Sequence, residues 1–233
     1  MRVLLTRPQD DAEIFAERLR ERGHETLSAP LLAVRFRDDP PLALDGVQGV
    51  LVTSANGVRA LARRTERRDL PVYAVGPQTA LEAQSVGFAR VESANGDVVA
   101  LADALPRWAR AQAGALLHAT GAEGAGRLAS LLTPKGYEVR SAILYDIEAS
   151  TVLPQDVISA LEDGSLDAAL FFSPRSAKVF KDCILSAGLV GTCTRLIAVC
   201  ISQATASALS PLSFAEIRVA ARPNQDGLLA CLG

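Results

Sequence analysis

The feature that most constrains this chain is an internal duplication, because a chain that repeats one succession of strand and helix signals must fold as two copies of one supersecondary plan. Leu51-Val52-Thr53-Ser54 is matched by Leu170-Phe171-Phe172-Ser173, and each runs straight into a helical pattern. Val75-Gly76-Pro77-Gln78-Thr79-Ala80 is matched by Ile201-Ser202-Gln203-Ala204-Thr205-Ala206, and Phe88 and Phe214 each lie nine residues beyond the threonine. Asp97 and Asp226 are predicted to open the last helix of each half. The remaining segments repeat as well: Val3-Leu4-Leu5, a helix, Gly23 and a strand answer Leu116-Leu117, a helix, Gly136 and a strand. Residues 1–34 therefore resemble 114–145, and 44–106 resemble 156–233.

Short apolar runs alternate with amphipathic stretches along the chain. Strands are predicted at Arg2–Thr6, Thr26–Ala29, Gly49–Thr53, Pro71–Val75, Ala115–His118, Val139–Tyr145, Ala168–Phe172 and Leu196–Ile201. Helices are predicted at Asp10–Arg22, from Ala55, at Pro77–Ser85, near Gly126–Leu132, and at Ala177–Leu185 and Ala204–Leu209. That alternation predicts an α/β fold of parallel sheets flanked by helices. Arg35–Pro41, charged and ending in a double proline, excludes helix. It reads as a linker, with Asp146–Pro154 as its counterpart.

Composition narrows the function classes. With 24 Lys+Arg against 26 Asp+Glu, the net charge is −2, and no basic footprint for nucleic acid exists. The densest basic run, Arg63-Arg64-Thr65-Glu66-Arg67-Arg68, closes a helical pattern, where cations suit the dipole. Cys183, Cys193, Cys200 and Cys231 lack the spacing of a zinc site or disulfide framework and read as small buried hydrophobes. His24 and His118 have no ligand partners near them in sequence, so no metal is expected. No apolar run reaches membrane-spanning length, and MRVLLTRP is too short for a signal peptide. These readings predict a cytoplasmic, cofactor-free monomer without nucleic-acid or membrane partners.

The chemistry is expected where strands hand over to helices, the edge at which open α/β sheets bind ligands. Ser54, with Ala55 after it, and Ser173 sit at predicted N-caps, and each either serves only its own helix or joins a ligand site. Gly76 and Ser202 stand at the second pair of junctions, with Thr79 and Thr205 just inside. Helix N-termini bind carboxylates through main-chain N–H groups. Arg7 and Arg175 follow strands and are candidate anion partners; Lys178 and Arg127 read better as surface charges. Thr120-Gly121-Ala122-Glu123-Gly124-Ala125-Gly126 is a Gly-rich loop without nucleotide-site spacing, open to an oxyanion-binding role. Tyr145 ends a strand and is either interface packing or a proton donor. No nucleophile triad or paired-carboxylate motif stands out, so a reaction here must be one the substrate nearly performs itself.

In this order and spacing, Leu4-Leu5-Thr6-Arg7-Pro8, Val52-Thr53-Ser54-Ala55-Asn56-Gly57-Val58, Val75-Gly76-Pro77-Gln78-Thr79-Ala80, Leu144-Tyr145, Phe172-Ser173-Pro174-Arg175-Ser176 and Thr205-Ala206 before Leu209 resemble the uroporphyrinogen-III synthases over nearly the whole chain. The resemblance implies two α/β lobes joined by a two-stranded connector, with the active site in the cleft. It implies a discontinuous first lobe of residues 1–35 and 150–233, a second of 40–146, and crossings near 35–41 and 146–154. The implied substrate is hydroxymethylbilane, a linear tetrapyrrole with eight carboxylates, closed without a cofactor. The implied proton donor is Tyr145, and Ser54, Thr79, Ser173 and Thr205 would anchor acidic arms. Ser202 departs from the family's frequent glycine and would compete with a ligand for its own helix N–H groups. That departure motivates an alternative, a non-catalytic tetrapyrrole- or anion-binding homologue. A nucleotide-binding α/β protein, resting on Thr120–Gly126, is a third reading.

Overall fold

A computed structural model describes residues 1–7 and 9–233, without the side chains of residues 9–11; Pro8 of the first motif lies outside it. The chain opens with β1 (Arg2–Leu5), α1 (Gln9–Arg20), β2 (Glu25–Ser28) and β3 (Leu32–Phe36). It continues with β4 (Val47–Val52), α2 (Ala55–Arg64), β5 (Val72–Ala74), α3 (Pro77–Ser85), β6 (Val91–Ser93) and α4 (Val98–Ala104). Next come β7 (Ala115–Gly121), α5 (Arg127–Leu132) and β8 (Val139–Ala149), with short 3-10 turns between. The last part holds α6 (Gln155–Glu162), β9 (Ala168–Phe171), α7 (Pro174–Ser186), β10 (Ile197–Cys200), α8 (Gln203–Ser207), β11 (Glu216–Val219) and α9 (Gln225–Ala230).

The chain divides into two compact units, Met1–Ala33 with Glu148–Gly233, and Val34–Ile147. The first carries a parallel sheet in the order β11-β10-β9-β1-β2. The second carries β3-β8-β7-β4-β5-β6, parallel from β8 to β6. Arg37 N–H bonds Leu144 O and Ser150 N–H bonds Leu31 O, so β3 runs antiparallel to β8. The unit boundaries fall inside these two strands. Arg35–Phe36 and Asp146–Ala149, read from sequence as linker, are therefore strand. Setting β6-β5-β4-β7-β8 beside β11-β10-β9-β1-β2 aligns the strands pair by pair, which is the duplication in three dimensions.

Each sheet is buried on both faces, as parallel sheets with helical crossovers require. In the first unit Val3 and Leu5 of β1 point into the layer of Phe15 and Leu19 from α1, while Leu4 points into that of Phe171 and Phe180. In the second, Val50 and Val52 of β4 pack with Val58 and Leu61 of α2, and Leu51 faces the opposite layer with Leu101 and Leu128. Side chains as fully buried as Phe15 and Leu51 each stabilise the fold by about 1.5–3 kcal/mol. Gly57 lets α2 lie on β7, since a Cβ there would sit 2.6 Å from Ala119 O.

Both sheets have a switch point, where successive crossovers leave in opposite directions and a crevice opens at the strands' carboxyl ends. In the second unit it lies between β4 and β7, and in the first between β1 and β9.

Candidate functional site

At the β4/β7 switch point the fold gathers Ser54, Gly121 and Tyr145. Ser54 is extended (φ −156°, ψ 157°) and caps α2, its Oγ accepting Gly57 N–H at 3.1 Å. Tyr145 stands opposite Gly121 in the β7/β8 register. Its Oη lies 2.9 Å from Ser54 Oγ. Gly121 makes that approach possible: a Cβ there would meet the Tyr145 ring at 2.7 Å. The ring is buried at 7% exposure, yet it lines a pocket of about 330 Å³ with Gly121, Ala122, Glu123, Gly124, Asp146 and Ile147. Ala55, the first residue of α2, is half-buried beside Ser54.

Thr120 lies beneath this floor. It is buried, and its hydroxyl donates to Gly121 O at 3.2 Å, while Gly124 crosses so closely that a Cβ there would meet Thr120 Oγ1. The hydroxyl thus braces the Gly-rich loop. Two residues back on the same strand, His118 is 1% exposed, and neither ring nitrogen has a partner. Burial drives its pKa down to about 4.

Along the same sheet edge, Gly76 (φ −149°) precedes α3 with no side-chain cap. Pro77 has no N–H and Ala80 N–H returns to Gly76 O at 3.0 Å, which leaves Gln78 and Thr79 as the main-chain donors of that turn. The Thr79 side chain is buried, so its contribution there is its backbone.

In the first unit, Thr6 Oγ1 donates to Leu170 O at 2.7 Å and ties β1 to β9 across the switch point. The Arg7 guanidinium lies 4.6 Å from the Phe172 ring centroid, over the end of β9. Ser173 caps α7 by accepting Ser176 N–H at 3.1 Å, and its Oγ also donates to Ser176 Oγ. Pro174 has no N–H, which makes the backbone of half-buried Arg175 the first donor of that helix. At the end of β10, Ser202 Oγ accepts Thr205 N–H at 3.3 Å and meets Thr205 Oγ1 at 3.0 Å. Thr205 is fully buried.

Other expectations resolve locally. Lys178 pairs with Asp182 at 2.6 Å, and Arg127 is exposed. The basic run folds onto carbonyls: Arg68 donates to Ala62 O, Thr65 O and Val86 O, Arg64 to Arg37 O and Pro40 O, and Arg67 pairs with Asp69. Cys183, Cys193 and Cys200 are buried free thiols, and burial pushes Cys193 up to about 11 and Cys200 up to about 12. Asp226 corrects a sequence reading: Asn224, not Asp226, caps α9, accepting Gly227 N–H at 2.9 Å, whereas Asp97 does cap α4. Among the described residues no three His, Cys, Asp or Glu side chains gather as a metal site, and no helix is long and apolar enough to cross a membrane.

Asp146 is a site residue that sequence reasoning passed over. It follows Tyr145 on β8, lines the same pocket, and is held by two Arg37 nitrogens at 2.6 and 2.7 Å. The Arg37 hydrogen bond keeps its carboxyl below the usual carboxylate range. No local pattern links residues so far apart in sequence.

Parallel sheets flanked by helices, with a serine-capped helix at each switch point, define the chain as an α/β protein. Comparison with known proteins gives the family: the model described as uroporphyrinogen-III synthase HemD matches residues 13–230, and the chain belongs to that family. The uroporphyrinogen-III synthetase of Helicobacter pylori 26695 superposes with a TM-score of 0.66 at 18% identity, covering 99% of this chain and 97% of that one. A mutant uroporphyrinogen III synthase from the extremely thermophilic bacterium Thermus thermophilus gives 0.54 at 18% identity over 99% and 96%. These two likenesses concern the fold. A Methanocaldococcus jannaschii protein, provisionally named a uroporphyrinogen-III synthase, is 34% identical over 61 residues, 26% of this chain. The match spans about a quarter of that relative's own length, 25%.

Proposed function

We propose that this chain cyclises hydroxymethylbilane to uroporphyrinogen III, with loss of water and inversion of the terminal pyrrole ring, as a cytoplasmic monomeric carbon–oxygen lyase of haem biosynthesis. The observation that carries the proposal is Tyr145 Oη, held 2.9 Å from Ser54 Oγ at a pocket wall beside the β4/β7 switch point.

The chemistry asks little of side chains. Breaking the hydroxymethyl C–O bond leaves a delocalised azafulvenium cation, and the departing oxygen takes a proton from Tyr145. The hydroxymethyl carbon bonds to the substituted α-carbon of the terminal ring, and the older bridge bond to that carbon then breaks. The freed bridge carbon bonds to the ring's unsubstituted α-carbon, which loses its proton and leaves the ring inverted. Unflipped closure proceeds without help to the type I isomer. The protein therefore acts by holding the chain in one shape, an orientation effect, and by supplying one general acid, typically worth about 10²–10⁴ in rate.

In the second unit, main-chain N–H groups of Ala55, Gln78 and Thr79 and Gly121 of the loop suit acetate and propionate arms; in the first unit, taken by itself, Arg7, Arg175 and the N-terminal turn of α7 behind Ser173 are the candidate anion partners. Thr120 supports the Gly-rich loop from below, and Thr205 the first turn of α8. Ser202 favours the second reading, a non-catalytic homologue, because its hydroxyl occupies the N–H that a carboxylate would take. Membership of the synthase family and the intact Tyr145–Ser54 pair support catalysis instead.

The test is to add fresh hydroxymethylbilane to the protein in chelator and identify the isomer. Uroporphyrinogen III is expected. Type I alone, with the protein thermally stabilised by the bilane, would establish the non-catalytic reading.

A further inference from the structure

We infer that Ser54 is not a substrate anchor but the positioning residue of the acid: its hydroxyl donates to Tyr145 Oη, aims the phenol's proton at the leaving oxygen, and stabilises the phenolate that results. The inference rests on the synthase reading above.

A serine hydroxyl has one proton and two lone pairs. One lone pair of Ser54 Oγ is committed to Gly57 N–H, at 3.1 Å. Tyr145 Oη, at 2.9 Å, is the remaining partner. If Tyr145 donated to Ser54, its proton would be turned away from the pocket. With Ser54 donating, Gly57 N–H, Ser54 O–H and Tyr145 O–H form one directional chain whose last proton is free for substrate, each bond polarising the next. That chain starts in the first turn of the ten-residue helix α2, where the backbone dipoles favour negative charge on the oxygen they face. Gly121 completes the arrangement from the other side. With no Cβ it lets the ring lie where a methyl would come within 2.7 Å, so the ring is held between a glycine and a serine.

The proton balance closes. Cleavage of the C–O bond moves the Tyr145 proton onto the departing hydroxyl, releasing water and leaving azafulvenium and phenolate. Ser54 O–H and Gly57 N–H stabilise the phenolate until the proton lost from the ring carbon after closure restores the phenol. A carboxylate-anchoring serine would need an unspent hydroxyl; with Ser54 donating to Tyr145 and accepting from Gly57, both functions of the group are taken within the protein.

The experiment is a set of variants read by kcat, KM, thermal midpoint and product isomer. Ser54→Asp is the decisive one. Aspartate is a good N-cap and keeps α2 stable, but it has no proton to give, and accepts from Tyr145 instead. We expect kcat to fall about tenfold or more with KM and thermal midpoint nearly unchanged, as for loss of part of a general acid's contribution. Ser54→Thr, which keeps the hydroxyl, should recover most of the rate. Tyr145→Phe should be slow but measurable, and adding Ser54→Asp to it should cost nothing more, because the serine acts only through the phenol. A Ser54→Asp variant with full kcat and raised KM, or losses that multiply in the double variant, would overturn the inference while leaving the synthase reading intact. Type I product alone from the wild-type protein would remove both.

Discussion

His118 is the residue for which the fold makes least provision. Its imidazole is enclosed on β7 with both nitrogens unpartnered, on the face of that strand shared with Leu116, in a layer otherwise made by Leu51 and Leu101. Burial disfavours the cation, so the folded-state pKa drops from 6.5 to about 4. The unfolded chain then takes up a proton as pH falls below 6.5, while the folded protein does not until about 4. Stability is lost through that window and is fully present above it. The group's share between pH 7.5 and 4.5 should be about 2–3 kcal/mol. Urea unfolding at the two pH values should give a loss smaller by that amount in His118→Leu; equal losses would mean that the imidazole finds a partner when protonated. Residue roles are only half legible in sequence. Ser54 and Ser173 can be named as caps because serine before a helical pattern has a local cause. That Ser54 also meets Tyr145, or Asp146 meets Arg37, depends on strand register between distant segments, and that Thr120 faces inward depends on the loop folding over it.

At the scale of elements, the two α3-like junctions differ by one side chain. Gly76 leaves the first turn of α3 uncapped, with its nearest obstacle, Gly96 O, 3.8 Å from where a Cβ would lie. Ser202 fills the matching place on α8 with its own hydroxyl. Gly76→Ser should therefore cap α3, leave stability level or slightly higher, and raise KM for hydroxymethylbilane about tenfold, the equivalent of one charge-assisted hydrogen bond. Steady-state kinetics checks this; an unchanged KM would mean that α3 holds no acidic arm. Elements with strong internal patterns are readable to within a few residues: Pro77–Ser85 is delimited by its proline and its period. The strands absent from the sequence reading are short or half-exposed. β6 and β11 close the sheets at their edges, and their residues are exposed or only half-buried, so neither carries a continuous apolar run. The end of β3, Arg35–Phe36, reads as linker in sequence because Arg35 and Arg37 flank Phe36, yet Phe36 packs on the core beneath Arg63.

For the whole molecule, repeated motifs in a fixed order carry the α/β class and the duplication, because the same apolar strands and the same turn chemistry recur in each half. Strand order is not legible: nothing in residues 1–34 specifies that β1 lies beside β9 and not β4, a choice made by pairings more than a hundred residues apart. Those pairings create the switch points on which the proposed chemistry depends. The central claim, that this fold steers a ring closure which otherwise goes astray, is tested most directly by the isomer fraction as protein is titrated into fresh hydroxymethylbilane. Because spontaneous closure competes at a fixed rate, the type III fraction should climb with protein concentration and approach completeness. A fraction that stays at the uncatalysed level at every concentration, or levels off as an even mixture of isomers, would contradict it.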